Sequence, residues 1–319
     1  MGQPCCTERD GRALGDMRSQ LQPLDARVVQ REEVAPGLLR FCFAWRSAKL
    51  APKLLPGEHL KVFAPNLVGE VPGQWCGKAD PELGLPLICR RYTPIASGKA
   101  WHDIIVEVIT KTRASPDGGK FSRYAQTLDI GDTVSVSGPH GLYSYGGKNR
   151  FQRRAPFSGT EEVVSPSHVA MVASGAAVIT VVRLASAIAA ESPAFSPPTM
   201  WLFLATDSVE AAAPHRKVLE GLVERLGPSR IRLSYTLEWQ GSSPQARHKS
   251  APQGWPYAVG DLTDLLASAE LPPTPSGSGG PSSQRLVLTF GAPATKKLCE
   301  DIPRSSGTAL WHWNDELDD

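Results

Sequence analysis

Residues Arg90–Ser97 read RRYTPIAS, and residues Gly118–Ser122 read GGKFS. In the first stretch a guanidinium stands beside an aromatic ring and a hydroxyl. Arginine can grip a diphosphate with its planar fork of donors. Tyr92 can lie against a flat ring system and use its hydroxyl as a handle. Thr93 can offer a hydrogen bond to a ring edge. In the second stretch, glycines let the backbone approach a phosphate. The residues that follow open a helix, whose N-terminus brings unpaired N–H groups and the positive end of a dipole. Taken alone, each stretch also reads as an ordinary strand or an ordinary helix start. Together, in this order, they read as the holder of a flavin.

Around these two stretches, residues 24–150 have the texture of an antiparallel β-barrel domain. Short β-rich runs, LLRFCFAW, HLKVFAP, DIIVEVITK and DTVSVSG, are bounded by Pro and Gly. One helix interrupts them, with Phe121, Tyr124, Ala125 and Leu128 on one face. Residues 151–166 read as a linker. From residue 167 to 319 strands alternate with helices: VAMVAS, AAVITVVRLASAIAAE, MWLFLATD, HRKVLEGLVERLG, IRLSYTLE, DLTDLLASAE, RLVLTFG and ATKKLCEDI. That alternation predicts a Rossmann-like α/β domain on a parallel sheet. Ligands of such sheets bind beyond the carboxyl ends of the strands, so a barrel followed by such a domain suggests two ligands meeting at a seam. Polar Gly/Ser/Pro-rich stretches at 191–198, 241–254 and 272–284 read as surface insertions.

The composition agrees with this division. At about 150 residues per domain, 319 residues suit two domains. Apolar residues make up 41% and charged residues 21%. The net charge of +2 is too small to imply a nucleic-acid or membrane-surface binder on charge alone. The six cysteines show no C-x-x-C pair and no Cys/His spacing for zinc, so no metal is expected and the thiols read as reduced. The apolar run from Val169 to Ala190 contains Arg183, and a buried strand entering a core helix explains it better than a membrane span. Residues 1–23 read as a flexible terminus without the apolar core of a signal peptide. Its Gly2, Cys5 and Cys6 point to acylation, myristate on Gly2 and palmitate on a cysteine. Cys6, however, stands where the myristoylation pattern wants Ser or Thr. The expected location is the cytoplasm, on the cytosolic face of a membrane if those groups are acylated.

The motifs resemble the ferredoxin-reductase-like flavoproteins, and among them the NADH–cytochrome b5 reductases. The family's R-x-Y-T-P-I-S lies on Arg90 to Ala96, and its G-G-K-M-S on Gly118 to Ser122. Its G-D…G-P-x-G…Y lies on Gly131, Asp132, Gly138, Pro139, Gly141 and Tyr145. LFLATD, RIRLSYTLE and Trp255-Pro256-Tyr257 fit its reductase half. The resemblance implies FAD as cofactor, NADH as electron donor, and a one-electron acceptor such as cytochrome b5. It implies Arg90 at the pyrophosphate, Arg91 among the cofactor-binding residues, and Tyr92 and Thr93 at the flavin ring and ribityl chain, with Thr93 as the candidate catalytic residue. It further implies that the strand through Ile105 and Glu107 lines the ring, and that Gly119, Lys120, Phe121 and Ser122 cradle the phosphates. Ala96 stands where the family has Ser, which the following Ser97 can replace.

The nucleotide half departs further. The family's A-G-G-T-G-I-T-P becomes Ala173-Ser174-Gly175-Ala176-Ala177-Val178-Ile179-Thr180. Gly175 survives. Ala177 narrows the approach to a diphosphate, and Thr180 replaces the family threonine only after a slip of one residue. The family's C-G-P-P-P-M becomes Phe290-Gly291-Ala292-Pro293-Ala294-Thr295, so a phenyl ring stands where the family has a thiol, to block the nicotinamide or to stack near it in altered geometry. Asp207, with Glu210, favours a free ribose 2′-hydroxyl and hence NADH over NADPH. Gly175, Asp207, Phe290, Gly291 and Pro293 are the candidate nucleotide residues. A basic set, Arg90, Arg91, Lys111, Arg113, Lys120, Arg123, Lys148, Arg150, Arg153 and Arg154, reads either as solvated charge or as a docking face for an acidic acceptor. Two functions follow: an FAD-dependent oxidoreductase, or a flavin-binding interaction protein of reductase ancestry with weak or lost NADH turnover.

Overall fold

The structure is a computed structural model that describes residues 22–109, 116–154, 160–237, 255–268, 285–291, 293–300 and 308–312. Among these, one compact unit holds 22–54 and 58–140, and a second holds 55–57 and everything from Gly141 onward. Gly2, Cys5, Cys6, Lys111 and Arg113 lie outside the described residues, as do the insertions at 241–254 and 272–284.

The first unit contains β1 (Leu24–Ala35), β2 (Leu38–Ala44), β3 (His59–Pro65), β4 (Gln74–Trp75), β5 (Lys78–Ala79), β6 (Leu87–Tyr92), β7 (Ala96–Ser97), β8 (Trp101–Glu107), α1 (Lys120–Thr127) and β9 (Thr133–His140). Seven strands form one sheet in the order β6-β3-β9-β1-β2-β8-β7. Every neighbouring pair is antiparallel. Its two edge strands, β6 and β7, are consecutive in the chain and joined by Thr93–Ile95. So short a link spans at most about 14 Å, which brings the two edges together and curls the sheet into the expected barrel. The interior follows the period of two: Leu39, Phe41 and Phe43 of β2, Leu60, Val62 and Ala64 of β3, and Val134 and Val136 of β9 share one core. Phe121, Ala125 and Leu128 on and just after α1 complete it, the face the spacing predicts.

The second unit begins earlier than the sequence suggests. β10 (Tyr143–Tyr145), β11 (Phe151–Arg154) and β12 (Glu161–Val164) form an antiparallel sheet over the stretch read as the end of the barrel and a linker. Tyr143, Tyr145 and Phe151 are buried in the same core as the parallel sheet, which is what assigns them to this unit. There follow β13 (His168–Ser174), a 3-10 turn at Gly175–Ala177, α2 (Val178–Ala189), β14 (Thr199–Thr206), α3 (Val209–Leu226), β15 (Ile231–Leu237), β16 (Ala258–Val259), α4 (Leu262–Ser268), β17 (Arg285–Phe290), α5 (Pro293–Glu300) and β18 (Thr308–His312). The six strands run in the order β16-β15-β14-β13-β17-β18 and are parallel throughout. Both faces are covered, so β14 is apolar on both: Met200, Leu202 and Leu204 enter one core, Trp201, Phe203 and Ala205 the other. α3 starts at Val209 rather than at His215. The Ser208 hydroxyl accepts from the Ala211 N–H at 2.9 Å and caps it, so Pro214 lies inside the helix instead of ending it.

His215 on α3 lies 2.7 Å, Nε2 to oxygen, from the Tyr235 hydroxyl of β15 in a buried pair. Burial pushes the imidazole down to about 4. The unfolded chain, with an ordinary histidine near 6.5, then binds a proton that the folded chain rejects. Stability is therefore complete above pH about 6.5 and falls as the pH drops toward 4, by up to about 1.4 kcal/mol per pH unit. In the first unit His59, pushed down to about 3 by burial and by Arg91 and Lys61, adds a dependence of the same sign. Thermal unfolding at pH 7 and pH 5 should show the loss, and His215→Asn should flatten the slope; an unchanged slope would remove His215 as its source.

Candidate functional site

At the barrel closure, β6 ends on Arg90, Arg91 and Tyr92, and Thr93 begins the link to β7. The half-buried Tyr92 ring packs 5.2 Å from the Phe121 ring of α1, centroid to centroid. Burial pushes the Tyr92 hydroxyl well above the usual phenol range, so it stays protonated at neutral pH. Arg91 is exposed and Thr93 half-buried. Ile105 is buried on β8, and Glu107 ends that strand with its side chain exposed. The Glu107 carbonyl accepts from the Ser122 hydroxyl at 3.1 Å, while the Ile109 N–H donates to the same hydroxyl at 3.0 Å. Ser122 thus ties the first turn of α1 to β8. Gly119, just before that turn, cannot carry a side chain: a Cβ there would stand 2.7 Å from Ser122 Oγ and 3.1 Å from Ile109 Cβ. The sequence-predicted flavin residues Arg90, Tyr92, Thr93, Gly119, Lys120, Phe121 and Ser122 therefore converge on one end of one unit.

A feature absent from the motif reading joins them there. Between β3 and β6 the chain makes a long excursion, 66–86, bearing the short β4–β5 hairpin. Asp80 receives the Lys120 ammonium at 2.7 Å and 2.8 Å through its two oxygens, and Asn66 Oδ1 accepts from it at 2.9 Å. Glu82 takes Arg90 through both oxygens, at 2.6 Å and 3.2 Å, and stands 3.3 Å from Lys120. The Lys120 side chain is only 2% exposed. The excursion is also pinned at Asp117, which accepts from the Glu70 N–H at 2.9 Å and from the Cys76 N–H. Trp75 Nε1 donates to the Gly118 carbonyl at 2.9 Å, and its ring lies 5.0 Å from Lys120 Nζ and 5.8 Å from the Arg123 guanidinium. The acidic partners at 80 and 82 carry no motif; only their position in a Gly/Pro-rich insertion marks them.

Residues of this chemistry fit a flavin dinucleotide: a glycine-floored helix N-terminus, two cationic donors and an aromatic wall. The same donors are engaged by Asp80 and Glu82. Arg90 and Lys120 are consequently not part of a surface docking face. Of the other basic residues, Arg153 pairs with Glu162 at 3.7 Å and Arg123 stacks on Trp75.

In the parallel sheet, β13 has β14 on one side and β17 on the other, so the strand order reverses at the carboxyl ends of β13 and β17. Open sheets of this kind bind ligands at that place. Ser174 and Gly175 leave β13 there, and Phe290 and Gly291 leave β17. Ser174 Oγ lies 3.0 Å from Thr295 Oγ1 of α5. Gly291 has φ +111, and a Cβ on it would stand 3.1 Å from Ser174 Oγ and 3.6 Å from the Ala177 Cβ. Thr180 is the third residue of α2 and is buried. Pro293 opens α5. Asp207 follows β14, and Glu210 lies in the exposed first turn of α3.

Phe290 corrects an expectation. Alternation along β17 puts it on the face of Leu286 and Leu288, in the main core of this unit, 2% exposed. Its ring packs among those side chains. Among the described residues no group of three or more His, Cys, Asp or Glu side chains could hold a metal ion. None of the described cysteines forms a disulfide, and no described helix is long and apolar enough to cross a membrane.

An antiparallel sheet whose two edge strands are joined by the Arg-x-Tyr-Thr link, and in the second unit a parallel sheet with a central switch point, are the two parts of the chain that known proteins match. A family model described as a siderophore-interacting FAD-binding domain matches residues 27–143. The chain is 29% identical over 277 residues to NADH-cytochrome b5 reductase 2 of Danio rerio, covering 85% of this chain and 77% of that protein. It is 29% identical over 276 residues to the human NADH-cytochrome b5 reductase 1, covering 85% and 78%. Among solved structures, the cytochrome b5 reductase domain of Ulva prolifera nitrate reductase superposes with a TM-score of 0.63 at 19% identity, over 91% of this chain and 97% of that one. This last likeness establishes the fold.

The Phe290 ring has a direct test. Phe290→Cys should leave a cavity in the core and cost about 2–4 kcal/mol of stability, read as a lowered unfolding midpoint. A variant as stable as the parent would return the ring to the ligand crevice.

Proposed function

We propose that the protein is an FAD-dependent oxidoreductase that takes electrons from NADH and delivers them singly to an acceptor protein such as cytochrome b5. The observation that carries this is the convergence of Arg90, Tyr92 and Thr93 with the Gly119-floored start of α1. FAD, when bound, accepts a hydride and releases electrons one at a time. The chain's own residues bind and orient. Arg90 and Lys120 offer charge-assisted donors to a diphosphate. Tyr92 offers a ring face, with its hydroxyl held protonated. Thr93 offers a hydroxyl at the flavin edge, and Ile105 and Glu107 line the strand beside it. The nucleotide belongs at the switch point, against Gly175, Gly291 and Pro293, with Asp207 facing the ribose and favouring NADH over NADPH. The similarity to NADH-cytochrome b5 reductases supports the donor and the acceptor class.

A second reading, an FAD-binding protein with weak NADH turnover, is favoured by one observation: the nucleotide turn carries side chains at Ala176 and Ala177, and Ala177 approaches Gly291. One experiment separates the two. Purified protein is scanned for flavin absorbance, then mixed with NADH or NADPH. The first reading expects bleaching, faster with NADH. The second expects a bound flavin that does not bleach. In the same assay Arg90→Ala should weaken FAD binding about 10- to 150-fold, the loss of about 1.5–3 kcal/mol; unaltered affinity would remove Arg90 from the site.

Membrane attachment belongs to the same proposal. The Gly2, Cys5 and Cys6 pattern supports a doubly acylated terminus on the cytosolic face of a membrane, since two chains anchor stably where one does not. Labelling cells with alkyne analogues of myristate and palmitate should mark the protein, with Gly2→Ala abolishing the first label. Absence of both labels would leave it unanchored by this route.

A further inference from the structure

We propose that the excursion 66–86 is a displaceable acidic plug: Asp80 and Glu82 occupy the donors of Lys120 and Arg90 that a flavin diphosphate would take, and FAD enters by lifting the plug from the start of α1. The proposal rests on the flavin reading and adds a regulation of that site.

Three observations carry it. The first is chemical identity of the partners. A carboxylate and a phosphoryl oxygen use the same geometry at a guanidinium fork and at an ammonium. Here two carboxylates place their four oxygens 2.6–3.3 Å from Arg90 and Lys120. A diphosphate brings the same two negative charges, so its exchange for Asp80 and Glu82 leaves the buried Lys120 and the half-buried Arg90 neutralised. Holding both anionic partners at once would crowd like charges in a poorly solvated place, which is costly.

The second is how the excursion is attached. Its foot is closed by the Asn66 N–H donating to the Pro86 carbonyl at 3.1 Å, next to the Pro65–Leu87 pair that ends the β3–β6 ladder. The barrel therefore closes below the plug whatever the plug does. Above the foot the excursion is tied to the rest of its unit by polar contacts: the two ion pairs, Asp117 with the Glu70 and Cys76 amides, and Trp75 Nε1 with Gly118.

The third is where its apolar side chains go. Val68, Val71 and Leu83 are 74%, 53% and 65% exposed. The segment is held by ions and hydrogen bonds rather than by a core, and such contacts exchange one anion for another far more readily than a packed core reopens.

When the binding-competent state is only a fraction of the population, apparent affinity drops by that fraction. Removing the plug's charge should restore it. The test compares FAD-stripped full-length protein with Asp80→Asn/Glu82→Gln, titrated with FAD and, separately, with riboflavin, which lacks the diphosphate. Hydrogen exchange is followed by mass spectrometry over 66–86 and 119–127. A second variant replaces 66–86 with Asn-Gly, a two-residue hairpin turn, and gives the same comparison should the double variant fail to fold. The expected result is FAD binding at least 10-fold tighter in either variant, riboflavin binding unaltered, and in the parent faster exchange over 66–86 with slower exchange over 119–127 once FAD is added. FAD binding no tighter in either variant, an equal gain for riboflavin, or slower exchange over 66–86 in the loaded parent would overturn the plug while leaving the flavin reading standing. Folded parent and variants that all fail to bind FAD would overturn the flavin reading, and the plug with it.

Discussion

Lys120 stands in the least comfortable place a cation can occupy in this chain. It is the first residue of α1, where the helix dipole already presents positive charge, and its side chain is almost wholly withdrawn from water. A buried cation without partners costs several kcal/mol, and breaking a buried pair typically costs about 3–5 kcal/mol. The local structure answers that demand. Both oxygens of Asp80, one of Glu82 and the amide oxygen of Asn66 surround the ammonium. Glu82 in turn fixes Arg90 at the end of β6. One charge therefore dictates the path of 66–86, the aim of Arg90 and the environment of the helix start. The charges balance within the cluster, two against two, which is why the proposed entry of a diphosphate exchanges it for Asp80 and Glu82.

The barrel and the parallel sheet were legible in the sequence because both are written in short periods. Phe41 and Phe43, or Leu60 and Val62, alternate at two and land on the same interior. The apolar run of β14 has no alternation because both its faces are covered. The flavin residues were legible because they lie in two compact stretches whose glycine, Gly119, has no room for a side chain. The plug was not legible. Lys120 and Asp80 are 40 residues apart, and nothing local in an insertion rich in Gly and Pro says which cation an acid will meet.

Other misreadings share one cause, the use of local texture where a distant partner decides. Residues 151–164 look polar because Arg153, Arg154, Glu161 and Glu162 face outward, and a single aromatic, Phe151, anchors β11 in the core. α3 begins before Pro214 because the Ser208 cap outweighs the proline's missing donor. Phe290 was read through a motif position, which fixes the backbone but not the face. The strand period fixes the face, and that face belongs to Leu286 and Leu288.

That same period bears on how a nucleotide is held. With Phe290 turned into the core, the described groups at the switch point include Ser174, Gly175, Gly291 and the backbone of the first turns of α2 and α5. The Ser174–Thr295 hydroxyl pair joins the end of β13 to the first turn of α5 across 121 residues of chain, and Gly291, at φ +111, packs closely against Ser174 and Ala177. The starts of two helices are thereby held beside one strand end, each contributing the positive end of its dipole. In the proposed function an anion there would meet these backbone dipoles, whereas at the flavin end the buried Lys120 and the half-buried Arg90 would carry the charge. Backbone dipoles do not distinguish a nucleotide with a 2′-phosphate from one without, so in the proposed function that choice would fall to the carboxylates of Asp207 and Glu210 at the neighbouring strand end.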